Sequence, residues 1–348
     1  MVSIRRLIFG AVLVVDGALS AGAQAQAPSN FYAGKTINLM VGSTPGGYYD
    51  MAGRTVARHL GEFIPGHPAI VVQNQPGAGG VALVNKLAHT LPRDGTAIVV
   101  MSRALPQLAL TGDPNADFDP LAFTWLGSLS SYKDDGYLMT INASSPVRSL
   151  ADIRSGGRTV HLGGTRTGST NITFALLARD LIHLDIDLVR GFPGANQIWL
   201  AMESGELDGQ FVDLSAIMVG RPNLWKEKKL RPLMAFGRTQ RFSELPDVPI
   251  GRELISNPDD LALLKFAEMP FFMATPFAAP PALPAERAKT LKTSFMAMAT
   301  DSAFRAEMEK VGIRTSPIDG AAIHDLIAEA AKAPLSVRRR FGRLLVDK

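Results

Sequence analysis

The stretch GSTPGGYYD at residues 42–50 decides the fold of this 348-residue chain. It follows TINLMV at 36–41, an apolar and partly β-branched run that predicts a buried strand. A helix is predicted next, with Asp50 as its N-cap and with apolar residues at helical spacing at Met51, Val56, Leu60 and Phe63. A strand, a glycine-rich turn and a helix start together offer main-chain N–H groups and a helix dipole to an anion. A tight connection without a ligand has the same pattern.

A second stretch of this type, GGTRTGST at 163–170, follows a predicted strand at 158–162. A helix is predicted at 171–184, and Ser169 or Thr170 is placed to cap it. Two such turns that converge on one cleft would bind the two ends of a small dianion through main-chain N–H groups.

Strand-like and helix-like segments alternate along the rest of the chain, which predicts an α/β fold with mostly parallel sheets covered on both faces. The apolar run at 266–276 is expected to return the chain to its first domain. Further strands are predicted at 69–74, 96–101, 124–129, 136–141, 188–192, 207–214 and 230–236, and later helices at 286–298, 302–311 and 321–332.

The N-terminus is typical of an export signal. Arg5 and Arg6 precede a short apolar core, and AQA at 25–27 is a cleavage site, so residues 1–27 are predicted to be a signal peptide. The core is too short to span a bilayer as a helix. The chain has no cysteine, so an exported protein of this sequence is held together without disulfides. Its formal net charge of +4 suits small anions, and nucleic acid is not an expected partner.

Catalytic and metal motifs are missing from the sequence. It contains no Gly-x-Ser-x-Gly, the first turn lacks the Gly-Lys-Ser/Thr ending of a nucleotide-binding loop, and the six histidines show no metal-ligand spacing. The adjacent pairs Asp134–Asp135 and Asp259–Asp260 are interpreted as solvated loops. We therefore expect no enzyme, no cofactor, no metal and no catalytic residue.

Seven motifs, in family order and through most of the mature chain, resemble the extracytoplasmic solute receptors of tripartite tricarboxylate transporters, the Bug family. They are PGGxxDxxxR from Pro45, NxPGAGG from Asn74, DGT from Asp94, GxxxGS from Gly164, GELDG from Gly205, LPDVP from Leu245 and APPxxPxxR from Ala279.

The resemblance implies a type II periplasmic-binding-protein fold, with two α/β domains joined by crossover strands and a ligand cleft between them. The expected division is 28–137 with 270–348 for a discontinuous first domain, and 138–269 for the second. The family further implies a periplasmic location, a small carboxylate as ligand, and delivery to a two-subunit membrane permease driven by an ion gradient. We expect a monomer. An exported binding protein that serves a sensor kinase is the alternative, because its binding site would look the same.

By analogy with the family, both turns grip a ligand carboxylate. The expected ligand-binding residues are Thr44, Gly46, Gly47, Tyr48, Tyr49, Thr165, Arg166, Gly168, Ser169 and Thr170. Tyr48 and Tyr49 depart from the smaller residues of many members, and would narrow the cleft or stack on a planar ligand unless they pack outside it. Arg166 either offers a bidentate fork to a carboxylate or is a solvated loop charge.

Three residues are expected to support the site. Asp50 would hold the first turn, because a carboxylate beside an anion site would repel the guest. Arg54 is expected to pair with Asp50, with the cleft as its alternative, and Asn74 to fix the following loop by side-chain hydrogen bonds.

Overall fold

The computed structural model describes residues 30–133, 135–154, 157–165, 169–192 and 195–346. The predicted signal peptide, Arg166 and Gly168 lie outside these residues. The described strands are β1 (Thr36–Val41), β2 (Ala69–Asn74), β3 (Ala97–Val100), β4 (Thr124–Ser128), β5 (Tyr137–Asn142), β6 (Val160–Gly163), β7 (Ile186–Val189), β8 (Gly209–Asp213), β9 (Leu230–Phe236), β10 (Pro276–Ala279) and β11 (Ile318–Asp319).

The helices cover both faces of the sheets that these strands form. They are α1 (Tyr48–Phe63), α2 (Val81–His89), α3 (Ala104–Thr111), α4 (Thr170–Ile182), α5 (Ala195–Glu203), α6 (Leu214–Gly220), α7 (Pro222–Lys226), α8 (Gly251–Leu254), α9 (Pro258–Glu268), α10 (Ala285–Thr300), α11 (Ser302–Lys310), α12 (Gly320–Ala331) and α13 (Leu335–Val346). Short 3₁₀ turns lie at Asn30–Tyr32, Ala78–Gly80, Pro120–Ala122, Leu150–Ile153 and Met269–Met273.

The strands form two sheets, of order β11-β4-β10-β3-β1-β2 and β7-β6-β8-β5-β9. In the first sheet β1 pairs in parallel with β2 and β3, and in the second β6 pairs in parallel with β7 and β8. The pairings of β10 with β3 and β4, of β11 with β4, and of β5 with β8 and β9 are antiparallel, so the prediction of mostly parallel sheets is wrong. The chain passes from β4 to β5 and returns from β9 to β10, so the first sheet takes strands from both ends of the chain. The domain boundaries given above stay a prediction.

Alternation along β1 explains why the first sheet is covered on both sides. Ile37, Leu39 and Val41 are fully buried in one apolar cluster with Leu60 of α1, while Met40 points into the cluster that contains α2. Burial of each such side chain contributes about 1.5–3 kcal/mol relative to exposure.

The two crossings between the sheets lie side by side. Ser128 Oγ, at the end of β4, accepts a hydrogen bond from the Thr275 amide at 3.0 Å, just before β10. The Ala274 amide donates to the Ser130 main-chain oxygen at 2.8 Å. Hydrogen bonds therefore fix the two crossover segments to each other at the base of the space between the sheets.

One local prediction is wrong. Helix α1 begins at Tyr48 with Gly47 as its N-cap, so Asp50 lies in the first turn instead of capping it. The run at 266–276 leads from the second sheet back to the first, and it is helical for most of its length because α9 continues into the 3₁₀ turn at Met269–Met273 before β10 starts.

Candidate functional site

A cleft of about 1250 Å³ opens where strand ends of the two sheets face each other. The residues after β1, β3 and β4 line it from the first sheet, and those after β6 and β8 from the second. The carboxyl ends of strands in α/β sheets are where such folds bind ligands. The segment from α11 to the start of β11 forms its outer edge.

Asp50 organises the first turn. It is 2% exposed, and its carboxylate accepts hydrogen bonds from the Gly46 amide (2.8 Å), Arg54 Nε (3.0 Å) and Asn74 Nδ2 (2.8 Å). Burial raises the pKa of Asp50, but the three donors together lower it by more than burial raises it, so the pKa lies below its ordinary value. Arg54 thus forms the predicted ion pair. The Gly46 N–H, which was expected to face a ligand, is turned toward Asp50 instead.

Asn74 holds the first turn, and not the loop that follows it as predicted, because its side-chain hydrogen bonds go to the first turn and α1. Its Nδ2 donates to the Ser43 main-chain oxygen at 3.0 Å, and its Oδ1 accepts from Arg54 Nη2 at 2.9 Å. Gly46 adopts φ +80°, in the left-handed region that a glycine enters without strain. Together these contacts fix where α1 starts.

Tyr48 and Tyr49 both line the cleft. Their rings meet edge to face, with centres 5.3 Å apart. The Tyr48 hydroxyl lies 2.9 Å from Thr275 Oγ1 on the returning crossover, and the Tyr49 hydroxyl accepts from the Arg103 amide at 3.1 Å. The two rings therefore narrow the cleft and connect the first turn to the segment after β3.

Arg103 was not predicted, and it is the cation most embedded in the cleft lining. Its Cζ lies 4.3 Å from the centre of the Phe271 ring and 5.2 Å from that of Tyr132. The guanidinium also hydrogen-bonds the hydroxyls of Tyr132 and Tyr137. Stacking and these bonds restrain its position, and its five N–H groups are enough to serve a ligand as well. Tyr132 and Tyr137 stack in parallel with ring centres 6.3 Å apart, and both contact Phe271 edge to face. Arg103 thus packs against the aromatic rings of Phe271 and Tyr132 near the two crossover segments.

The phenols around Arg103 are neutral at physiological pH. Burial raises the pKa of Tyr137 to about 12, and the negative charge of Asp213 acts in the same direction. Burial also raises the pKa of Tyr132 and of Tyr48 above their ordinary value. Each phenol keeps its proton and can donate a hydrogen bond.

The second turn contributes Ser169 and Thr170 to the cleft lining. Ser169 is the N-cap residue of α4, but its hydroxyl donates to Asn171 Oδ1 at 2.5 Å rather than capping the helix. Thr170 hydrogen-bonds Tyr137. Within the described chain, Thr44, Gly46, Gly47 and Thr165 lie outside the cleft lining.

Two aspartates meet on the second-sheet side. The antiparallel pairing of Tyr137 with Asp213 places Asp135, two residues before β5, at the end of β8. Both carboxylates line the cleft. Asp135 is 9% exposed, so its interpretation as part of a solvated loop is wrong. Burial, followed by repulsion from Asp213, raises its pKa above the ordinary value.

The described residues form no group of three or more His, Asp and Glu side chains suited to a metal ion. No helix in the described part of the chain combines the length and apolarity that crossing a membrane requires.

Comparison with solved structures places this architecture among solute-binding proteins. The chain matches a TctC solute-binding protein from Polaromonas, determined without ligand, with a TM-score of 0.68, 18% identity, and coverage of 90% of this chain and 99% of the other. It matches MatC of Rhodopseudomonas palustris with bound malate at a TM-score of 0.54, with 19% identity and coverage of 89% and 99%. The periplasmic binding protein BugD gives a TM-score of 0.54, 17% identity, and coverage of 91% and 100%.

One curated relative adds a match in sequence. A UPF0065 protein from the gbd 5′ region of Cupriavidus necator is 28% identical over 129 residues, which are 37% of this chain and 37% of that protein. No family model matches the chain. The predicted α/β fold of two sheets is confirmed. The matches show that the chain is similar to TctC and Bug solute-binding proteins, which agrees with the resemblance seen in the sequence motifs.

Proposed function

Taking the chain as a relative of the Bug and TctC solute-binding proteins in fold and sequence, we propose that it is a periplasmic receptor for a small carboxylate. The observation that carries this proposal is the position of Arg103 in a cleft lined by the ends of strands from both sheets. A guanidinium recognises a carboxylate through parallel N–H···O bonds, and its stacking on Phe271 limits the conformational entropy lost on binding.

Hydroxyl groups on both sides of the cleft complete the proposed site. Tyr48 and Tyr49 approach the ligand from the first sheet, and Ser169 and Thr170 from the second. Because the ligand touches both sheets, binding favours closure of the cleft around it. Arg166 and Gly168 lie outside the described residues, and their contacts with ligand stay predictions, as do those of Thr44, Gly47 and Thr165.

Isothermal titration calorimetry with a panel of mono-, di- and tricarboxylates tests carboxylate binding. We expect at least one to bind, and Arg103→Gln to weaken it about 10- to 100-fold, since a hydrogen bond to a charged group contributes about 1.5–3 kcal/mol. Arg148→Gln is the matched control, because Arg148 is exposed on the second-sheet side. Binding of no acid in the panel, or equal loss in both variants, would contradict the proposal.

We further propose that the receptor passes its ligand to a two-subunit permease and leaves the ligand unchanged. The family relationship supports this role. Adding purified receptor to spheroplasts that lack it should restore uptake of the carboxylate in the presence of the permease. Uptake that does not depend on the receptor would favour a sensor partner, and chemical turnover of the ligand would indicate an enzyme.

A further inference from the structure

The charges that line the cleft are of both signs. Arg103 follows β3 of the first sheet, and the exposed Arg305, Glu309 and Arg314 lie on the outer edge, whereas Asp135 and Asp213 lie at the joined ends of β5 and β8 in the second sheet. The stacked rings of Tyr132 and Tyr137 lie close to both Arg103 and Asp213, whose charges act on the pKa of each phenol. A simple dicarboxylate would meet a favourable charge at one end of this cleft and two repulsive ones at the other.

Local hydrogen bonds satisfy these carboxylates only in part. Asp135 Oδ1 accepts from the Gly136 amide at 2.9 Å and the Ser215 amide at 3.2 Å, and the Ser215 side chain also hydrogen-bonds this carboxylate. Asp213 Oδ1 accepts from Ser215 Oγ and the Ala216 amide, both at 2.8 Å. In the part of the chain that the structure describes, no amide N–H reaches the Oδ2 atom of either aspartate, and neither carboxylate forms an ion pair.

Capping alone does not explain the pair. Asp213 is the N-cap of α6, a role that serine or asparagine fills without charge. Asp135 is nine-tenths buried and lies close enough to Asp213 for the two negative charges to repel each other. Arg238 donates to the main-chain oxygen of Asp135 at 2.6 Å, which anchors the loop. A cationic group between the two Oδ2 atoms would relieve this repulsion.

We propose that the ligand is an aminocarboxylate, whose carboxylate binds Arg103 and whose ammonium group binds Asp135 and Asp213. This inference rests on the proposed function, and it narrows the ligand class of the same site. The ammonium group supplies three donors, which match the open oxygens of two carboxylates.

Matched ligand pairs test it by calorimetry. The pairs are butyrate and 4-aminobutyrate, succinate and aspartate, and glutarate and glutamate, which differ within each pair by one ammonium group and among pairs by spacing. For at least one pair we expect the amino compound to bind wild type at least tenfold more tightly than its parent. In Asp135→Asn and Asp213→Asn this preference should fall below threefold, while the parent acid binds as well as before or better.

Asparagine is the informative replacement because its Oδ1 keeps the main-chain hydrogen bonds and only the charge is lost. Asp187→Asn is the control, since Asp187 is an exposed aspartate of β7 outside the cleft and should keep the full preference. Parent acids that bind as tightly as their amino derivatives in every pair would overturn the inference and leave the receptor function standing. An amino preference that both cleft variants retain would also overturn it. Binding of neither class would refute the proposed function itself.

Discussion

Replacement of Asp50 by alanine should destabilise the fold by about 1–4 kcal/mol, because three donors converge on this buried carboxylate. Loss of the acceptor leaves the Asn74 amide half-buried without one partner, which costs about 1–3 kcal/mol. The side chain of Arg54 is 46% exposed, so its ion pair adds only about 0–1 kcal/mol after solvent screening. The exposed Gly46 amide regains a bond to water and adds little.

Urea denaturation at neutral pH, followed by far-UV circular dichroism, measures this change. Asp50→Asn keeps one acceptor oxygen and should cost less than Asp50→Ala. Asp117→Ala is the control, because the Asp117 side chain is 82% exposed and its loss should change stability by about 0.5 kcal/mol or less. An effect of Asp50→Ala no larger than that of the control would refute the role assigned to the first turn.

The pH dependence of the same variants has a defined sign. Since the folded state lowers the pKa of Asp50, its ionised form stabilises the fold above the ordinary value of 3.8. This stability is lost as the pH falls through 3.8 to the lower pKa of the folded state. Asp50→Asn should therefore lose less stability than wild type on acidification below about pH 4. Parallel acid profiles of the two proteins would contradict the assigned pKa shift.

Three further outcomes follow from buried contacts. Glu268→Ala should lower stability by about 3 kcal/mol in urea melts, because Glu268 is fully buried against Arg252 and its removal leaves this cation without its partner. An unchanged stability of this variant would contradict the structural role of the ion pair. Gly320→Ala should lower the melting temperature, because the added Cβ would clash with the main-chain oxygen of Trp125, whereas Gly342→Ala, where the Cβ meets open space, should not. Tyr48→Phe should cost about 1 kcal/mol in urea melts through loss of the Thr275 contact, and an unchanged midpoint would show that contact to be dispensable.

Local patterns in the sequence were sufficient for the framework of this fold. The two glycine-rich turns, their strands and their helices could be predicted because glycine, β-branched runs and helical spacing are local signals. The pairing of Asp50 with Arg54 was predictable for the same reason, since the two residues are one helical turn apart. The helix start was misplaced by three residues because Gly47 caps it without a side chain.

The chemistry of the cleft depends on contacts that no local pattern encodes. Phe271 contacts Arg103 although 168 positions separate them in the sequence, and Asp135 lies near Asp213 only because β5 and β8 pair antiparallel. One signal was available: Ser102 and Arg103 follow the end of β3, and Asp213 and Ser215 the end of β8, where α/β sheets place their ligand contacts. The adjacent pair Asp259–Asp260 shows the limit of this kind of analysis, since it belongs to the first turn of α9 rather than to a loop.

The crystal structure of the complex with the tightest-binding carboxylate tests the central claim most directly. We predict that the ligand occupies the cleft between the two sheets, with its carboxylate within hydrogen-bonding distance of the Arg103 guanidinium and with Tyr48, Tyr49, Ser169 or Thr170 in contact. A ligand bound outside this cleft, or inside it with its carboxylate away from Arg103, would contradict the account.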